Sequence, residues 1–293
     1  MSRILLLGRD GQVGWELNRL LAPLGELTAP GRTQLDLTDL AALTGLVRGI
    51  QPDWIVNAAA YTDIDQAEAE PDLARQINAR APGALAAEAN RLGACLLHFS
   101  TDYVFDGSQD KPYVEADAPN PLNAYGRTKL EGERAISQAG GRYFILRTSW
   151  VYSLRRQSFV TKVLAWADHQ ETLRIVDDQW GSPTWCRTLA EASVHLLRSG
   201  DEQGGDWRRA QAGLYHVACR GVASRFEWAR AVLDLAGPKS RPEVSPAASA
   251  EFPAAAIRPR YSALDSSRFE STFDFRLPDW RQALEAALLI RTT

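Results

Sequence analysis

Ile4-Leu5-Leu6-Leu7 runs straight into Gly8-Arg9-Asp10-Gly11-Gln12-Val13-Gly14, and few folds accommodate such a junction. A short apolar run that stops at glycine, with two more glycines at intervals of three before an amphipathic stretch, reads as a strand turning into a helix. Gly8 permits the tight turn, Gly11 lets the backbone approach a phosphate, and Gly14 lets helix and strand pack closely. The helix N-terminus supplies N–H groups and partial positive charge. The spacing is G-x-x-G-x-x-G rather than the G-x-G-x-x-G of simple dehydrogenases. A glycine-rich turn without a ligand is the competing reading, and the position directly after a first strand weighs against it.

The same strand-to-helix alternation continues along the chain. Apolar runs at residues 4–7, 54–56, 94–99 and 143–146 alternate with stretches of helical period at 13–21, 39–48, 71–91 and 123–138. This pattern predicts an α/β fold, a Rossmann-type doubly wound parallel sheet, over residues 1–150. Beyond Trp150 the rhythm is less regular: helices are expected at 159–167, 188–197, 225–235 and 278–290, and a strand at 214–217. Residues 151–293 are therefore expected to form mainly a smaller C-terminal substrate-binding domain, with segments at about 190–235 returning to pack on the Rossmann core. The stretch 237–259, rich in Pro, Ala and Ser, is expected to be a loop region over a ligand cleft.

Composition narrows the partners. A formal charge of -3 from 33 basic and 36 acidic residues offers no electrostatic footprint for nucleic acid or an anionic membrane. No apolar run is long enough to cross a bilayer or serve as a secretory core, which points to a cytoplasmic protein. Cys95, Cys186 and Cys219 are widely spaced without a C-x-x-C pair, so they read as reduced structural thiols rather than a disulfide or zinc framework.

Near the expected end of the second strand, Leu27-Thr28-Ala29-Pro30 lacks the acid that would hold the ribose 2′-hydroxyl of NADH. Arg32 follows and can pair with a 2′-phosphate, so NADPH is favoured over NADH. A solvated loop arginine is the alternative reading of Arg32.

Tyr125 and Lys129, at i and i+4, lie on one face of a helix. Hydride reduction of a ketone builds negative charge on oxygen, so a proton must come from a positioned acid. A phenol whose pKa is lowered by a neighbouring ammonium meets that need. The spacing alone is common. Its context is more informative, because Ser100-Thr101-Asp102-Tyr103 closes an apolar run, and the carboxyl ends of strands are where substrates bind in open α/β sheets. Thr101 is thus a candidate second hydroxyl beside the carbonyl. His98, inside that run, reads as a satisfied core histidine. Asn78 either assists the site through its amide or lies on a helix surface.

Taken together, several passages make the chain similar to the extended short-chain dehydrogenase/reductase superfamily and, within it, to the dTDP-4-dehydrorhamnose reductase family. They are residues 8–16 (GRDGQVGWE), 35–39 (LDLTD), 56–62 (VNAAAYT), 100–105 (STDYVF), 121–129 (PLNAYGRTK), 147–152 (RTSWVY), 178–184 (DQWGSPT) and 213–216 (GLYH). The resemblance implies Tyr125 as proton donor, Lys129 as its partner and as a ligand of the nicotinamide ribose, and Thr101 as a substrate contact. It further implies that Gly11, Gln12, Val13, Asp36, Leu37, Ala58, Ala59 and Ala60 line the cofactor, and that Asp102 and Trp150 contact a dTDP-deoxysugar. An isolated tryptophan would otherwise read as core. The implied reaction is NAD(P)H reduction of the C4 ketone of dTDP-6-deoxy-L-lyxo-4-hexulose to dTDP-L-rhamnose, by a monomer or homodimer.

Some members of that family carry magnesium at a dimer contact, held by glutamates on the first helix, on a later helix and near the C-terminus. Here only Glu16 has an obvious counterpart; Trp185-Cys186-Arg187 and Arg291-Thr292-Thr293 stand where the other acids would be. No structural metal is expected, and that mode of dimerisation is in doubt. Two other functions compete. A dehydratase or epimerase commonly has Thr-Asp-Glu where this chain has Thr101-Asp102-Tyr103. A non-catalytic subunit like the regulatory subunit of methionine adenosyltransferase would not need the intact Thr101, Tyr125 and Lys129.

Overall fold

The computed structural model describes residues 1–237 and 242–291; residues 238–241 of the Pro/Ala/Ser stretch and the tail 292–293 lie outside the described residues. Strand β1 (Ser2–Leu7) leads through Gly8 into helix α1 (Gln12–Leu21), then β2 (Gly25–Thr28), α2 (Leu40–Ile50), β3 (Trp54–Asn57), β4 (Cys95–Thr101) and β5 (Arg142–Thr148). With the later strand Gly213–His216 at one edge, these form a six-stranded sheet ordered Gly213–His216, β5, β4, β3, β1, β2. Every pairing in it is parallel. The chain leaves β1 to one side for β2 and returns on the other side for β3, so a crevice opens where Leu7 and Asn57 end their strands.

Both faces of the sheet are covered, and the alternation of side chains shows it. Ile4, Leu6, Trp54, Val56, Leu97, Phe144 and Leu146 face α1 and the helix Cys186–Ala210. Leu5, Leu7, Ile55, Leu96 and Ile145 face α2 and the helix Ala81–Leu92. Each such fully buried aliphatic side chain contributes about 1.5–3 kcal/mol. α1 presents Gly14, Leu17 and Leu21 inward at the three-to-four spacing of a helix face.

Residues from the second half complete the first core: Leu189, Leu196, Tyr215 and Val217, and also Phe269, Phe273 and Leu277, which the sequence pattern did not assign there. A separate core gathers Tyr152, Val160, Val163, Leu173, Trp228, Val232 and Leu284. The helix Arg225–Ala236 thus packs with this second cluster rather than on the sheet.

Three local features differ from the sequence expectation. The helix expected at 188–197 spans Cys186–Ala210, with a break at Gly204, whose φ of 85° glycine tolerates. The stretch 237–259 holds a strand, Glu243–Ala247, paired in parallel with Thr172–Val176; Pro246 disguised it, yet a proline sits well on an exposed edge. The helix expected at 71–91 runs from 71 to 92 but contains a π turn, Gln76–Arg80, which rotates Asn78 into the interior.

Candidate active site

The crevice is a cavity of about 1010 Å³ reaching from the glycine loop across the ends of β1, β3, β4 and β5. Its wall brings together Gly8, Gly11, Gln12, Val13, Arg32, Asp36, Leu37, Ala58, Ala59, Ala60, Thr101, Asp102, Tyr125, Lys129 and Trp150. Gly14 is the one expected cofactor residue that does not line it. A Cβ there would lie 1.9 Å from the Gly8 carbonyl oxygen, so Gly14 serves the packing of α1 on the turn.

The cofactor end fits a phosphate-bearing nucleotide on three observations. Gly8, at φ 83°, leaves no room for a Cβ, which would sit 2.6 Å from the Ala59 nitrogen. Gly11 is the N-cap of α1 and no side chain caps that helix, so its first N–H groups are free to meet an anion. Gln12 Oε1 and Thr148 Oγ1, on two cavity-lining residues, are buried without a hydrogen-bond partner. A buried polar atom left unpaired is costly and marks a place for a ligand donor. Arg32 stands exposed at the rim near Asp36, and among the described residues it forms no ion pair.

The reacting end is built from three elements. Thr101 terminates β4; Tyr125 and Lys129 project from the helix Ala124–Ala139, whose N-cap Asn123 accepts from the Gly126 N–H at 2.8 Å. The Asn123 amide also donates to the Ile257 carbonyl at 2.8 Å, and Arg258 pairs with Asp65, so the segment after Glu251 is tied to both sides of the crevice. The Thr101 hydroxyl donates to Asp102 Oδ1 at 3.0 Å and accepts from the Tyr103 N–H. Asp102 also accepts from Ser149 at 3.0 Å and from Ser262 at 2.6 Å. Burial pushes its carboxyl up to about 6, moderated by those three hydroxyls.

One electrostatic expectation is corrected. Lys129 does not lower the Tyr125 phenol here: burial raises that phenol's pKa, opposed by the Thr101 hydroxyl when it donates to the phenol oxygen in place of Asp102. Lys129 instead donates to the Phe99 carbonyl at 2.6 Å and lies 3.2 Å from His98 Nε2. Burial brings the lysine down to about 8, while the charge of Glu133 opposes that fall. His98 is fully buried, as expected for a core histidine.

Asn78 is not on a helix surface. It is buried, accepts from the Tyr61 N–H at 2.9 Å, and donates to the Tyr61 carbonyl and Thr128 hydroxyl, joining the loop after β3 to the helix that carries Tyr125. Trp150 lines the cavity at a φ of 45°, rare for an aromatic residue. The Arg225 guanidinium sits 3.7 Å from its ring centroid and Trp228 stacks beside it at 5.6 Å. Sequence reasoning missed Arg225, Trp228, Phe159 and Arg156, all on the wall. The Ser224-x-x-Glu227 capping box marks a helix start just before Arg225, but nothing local says that this start faces the crevice. Arg156 donates to the Asp10 carbonyl, linking the loop after Tyr152 to the glycine turn.

At the expected metal position, burial raises the Glu16 carboxyl, and Arg187, Arg19 and Arg155 act against that rise. Glu191 raises it further, so a second carboxylate, on the helix Cys186–Ala210, stands near Glu16; the sequence pattern did not pair the two. No group of three or more His, Cys, Asp or Glu that could hold a metal occurs among the described residues. Of the C-terminal acids' counterparts, Thr292 and Thr293 and the side chain of Arg291 lie outside them.

A parallel sheet with a phosphate-ready turn at its switch point, and a tyrosine-lysine pair facing the same crevice, defines the class of extended short-chain dehydrogenases and reductases. The comparisons narrow the class. The family model described as "RmlD substrate binding domain" matches residues 1–292, and the chain belongs to the dTDP-4-dehydrorhamnose reductase family. It is 39% identical to the dTDP-4-dehydrorhamnose reductase of Burkholderia thailandensis, over 96% of each chain. Identity to that of Escherichia coli K12 is also 39%, over 97% of this chain and 96% of the relative. The crystal structure of a dTDP-4-dehydrorhamnose reductase from Bacillus anthracis in complex with NADP superposes with a TM-score of 0.91 at 33% identity, over 99% of both chains. The UDP-glucose 4-epimerase of Thermus thermophilus shares the fold alone, at 19% identity and a TM-score of 0.77.

Proposed function

We propose that this chain is a dTDP-4-dehydrorhamnose reductase, reducing the C4 ketone of dTDP-6-deoxy-L-lyxo-4-hexulose to dTDP-L-rhamnose with NADPH. The observation that carries the reading is the meeting of Thr101, Tyr125 and Lys129 with the glycine turn in one cavity, in a chain whose family match runs through residues 1–292. When bound, the reduced nicotinamide supplies hydride to the carbonyl carbon. The chain supplies the rest. The uncapped start of α1 and the Gly11, Gln12 and Val13 backbone hold the diphosphate, Asp36, Leu37 and Ala58 to Ala60 hold the nucleoside, and Arg32 meets the 2′-phosphate. Tyr125 gives its phenolic proton to the carbonyl oxygen as charge develops there, and Thr101 holds that oxygen. Lys129, four residues further along the same helix, would hold the nicotinamide ribose.

Asp102 and Trp150 contact the sugar nucleotide, and the cluster around Trp228 forms the substrate side of a two-part molecule whose sheet layer holds the cofactor. A dehydratase would need a free carboxyl beside the threonine. Tyr103 sits edge-on to Tyr125 at 6.0 Å in that place, and Asp102 is engaged by three hydroxyls. No helix among the described residues is long and apolar enough to cross a membrane, in keeping with a cytoplasmic enzyme. We take the acting unit to be a monomer or a homodimer.

The assay is loss of reduced-nicotinamide absorbance with the dTDP-4-keto-6-deoxy-L-sugar. Tyr125→Phe should lower kcat by about 10²- to 10⁴-fold, the usual contribution of a positioned general acid. Turnover by the wild type with an unchanged kcat in Tyr125→Phe sinks the assignment of the proton donor.

A further inference from the structure

Lys129 ends a buried hydrogen-bond chain that reaches the cofactor wall. Its Nζ lies 3.2 Å from His98 Nε2; His98 Nδ1 lies 3.1 Å from the Asn57 amide nitrogen; and Asn57 Oδ1 accepts from the Ala59 N–H at 3.2 Å. Asn57 and His98 are at most 1% exposed, so water does not complete their bonding. Burial and the lysine's charge both hold the His98 pKa well below its ordinary value, so the ring stays neutral. A neutral imidazole has one donor and one acceptor, and that restricts the chain to two arrangements.

In the first, Asn57 keeps its oxygen on Ala59 and donates through its amide nitrogen to His98 Nδ1. The His98 proton is then on Nε2 and points at Lys129, which must be a neutral amine to accept it while donating to Phe99. In the second, Lys129 is an ammonium and donates to Nε2. His98 now carries its proton on Nδ1, facing a donor, so the Asn57 amide must turn and present its oxygen. That turn removes the acceptor from the Ala59 N–H, on the same wall that closes against Gly8. The freed N–H is then available to an acceptor on an occupant of the crevice.

We propose that His98 is a positioning residue which couples the charge on Lys129, through its own tautomer, to the Asn57 amide and the Ala59 wall of the cofactor site. The tautomer exchange follows from the chain alone; its bearing on cofactor binding rests on the reductase reading above. Among the described residues the charge that acts on Lys129 is that of Glu133 on its own helix, which is held by Arg147 of β5 and by Ser100 of β4; Tyr125 lies one turn before it. Asn57 from β3 is uncharged. None of these demands a switch of the imidazole proton, whereas Lys129 does.

The chain has four histidines, so selective ¹⁵N labelling gives a spectrum in which His98 is assignable by comparison with His98→Gln. Lys129 sits at about 8, which sets where to look. Between roughly two pH units below and above that value, the pyrrole-type and pyridine-type signals of His98 should exchange places, with no imidazolium at either extreme. In Lys129→Met the exchange should vanish and the Nε2–H form persist throughout. One unchanging tautomer in the wild type overturns the proposal, as does an imidazolium at the acid end or an exchange that survives Lys129→Met. The measurement needs no turnover, so a failed reductase assay leaves it standing and a failed exchange leaves the reductase reading intact.

Discussion

Glu133→Ala tests how the catalytic helix is fixed. Glu133 lies one turn beyond Lys129 and takes Arg147 Nε at 2.8 Å, Arg147 Nη2 at 2.6 Å and the Ser100 hydroxyl at 2.5 Å. The two side chains of the ion pair are 4% and 5% exposed. Removing one partner of such a pair leaves a charge buried without compensation, which costs about 3–5 kcal/mol. Arg147 Nη1 already lacks a partner, so the guanidinium has little to fall back on. With stabilities of about 5–15 kcal/mol for most proteins, the loss is a large share of the total. A urea midpoint should fall by about 1–2 M. Glu133→Leu combined with Arg147→Met should recover most of the loss, because a well-packed apolar pair avoids the desolvation of both ions. The sign for Lys129 is fixed as well: the Glu133 charge holds its pKa up, so the folded double variant should show an amine titrating below about 8. A single-variant cost under about 1 kcal/mol, or a double variant as unstable as the single, refutes the view that uncompensated charge dominates at this seam.

Other perturbations address the two ends of the cavity. Arg32→Ala should lower the ratio of kcat/KM for NADPH over NADH by about tenfold, less than a buried charge-assisted bond would give because the side chain is exposed; a ratio that does not move rejects the 2′-phosphate contact. Asp102, raised to about 6, should impose an acid limb near that pH on kcat/KM for the sugar nucleotide, since below it the carboxylate acceptor is protonated. The same raised pKa favours the folded chain most at acid pH and loses that contribution as pH rises through about 6; Asp102→Asn should remove both the limb and this slope, as pH-dependent kinetics and melting curves would show. Gly181→Ala would place a Cβ 2.5 Å from Trp150 Cε2. KM for the sugar nucleotide should rise about tenfold with KM for NADPH unchanged, as loss of one well-formed contact of about 1.4 kcal/mol implies; equal rises in both sink the local explanation.

What could be read from the sequence was what repeats or lies close along the chain. The glycine spacing located the turn and the start of α1, and the i, i+4 relation placed Tyr125 with Lys129, because both depend on neighbours within a few residues. The buried Asn78 escaped because a π turn shifts helical phase without leaving a compositional mark. Arg225 and Trp228 escaped because only tertiary packing swings the start of their helix onto Trp150. The strand Glu243–Ala247 was hidden by its proline. The lowering of the Tyr125 pKa failed for a different reason: spacing tells which groups share a face but not which acceptor wins the ammonium, and the Phe99 carbonyl wins it.

The late residues built into the sheet layer also order the molecule in time. The glycine turn, Thr101, Tyr125 and Lys129 all leave a translating ribosome before the edge strand Gly213–His216, before Ser262 reaches Asp102, and before Phe269, Phe273 and Leu277 cover Phe144 and its neighbours. The nascent nucleotide-binding layer therefore carries an unpaired β5 edge until Gly213–His216 is made, and a partly bare apolar face until Phe269, Phe273 and Leu277 follow, the state in which chains aggregate or recruit chaperones. Its catalytic groups are made early and set late.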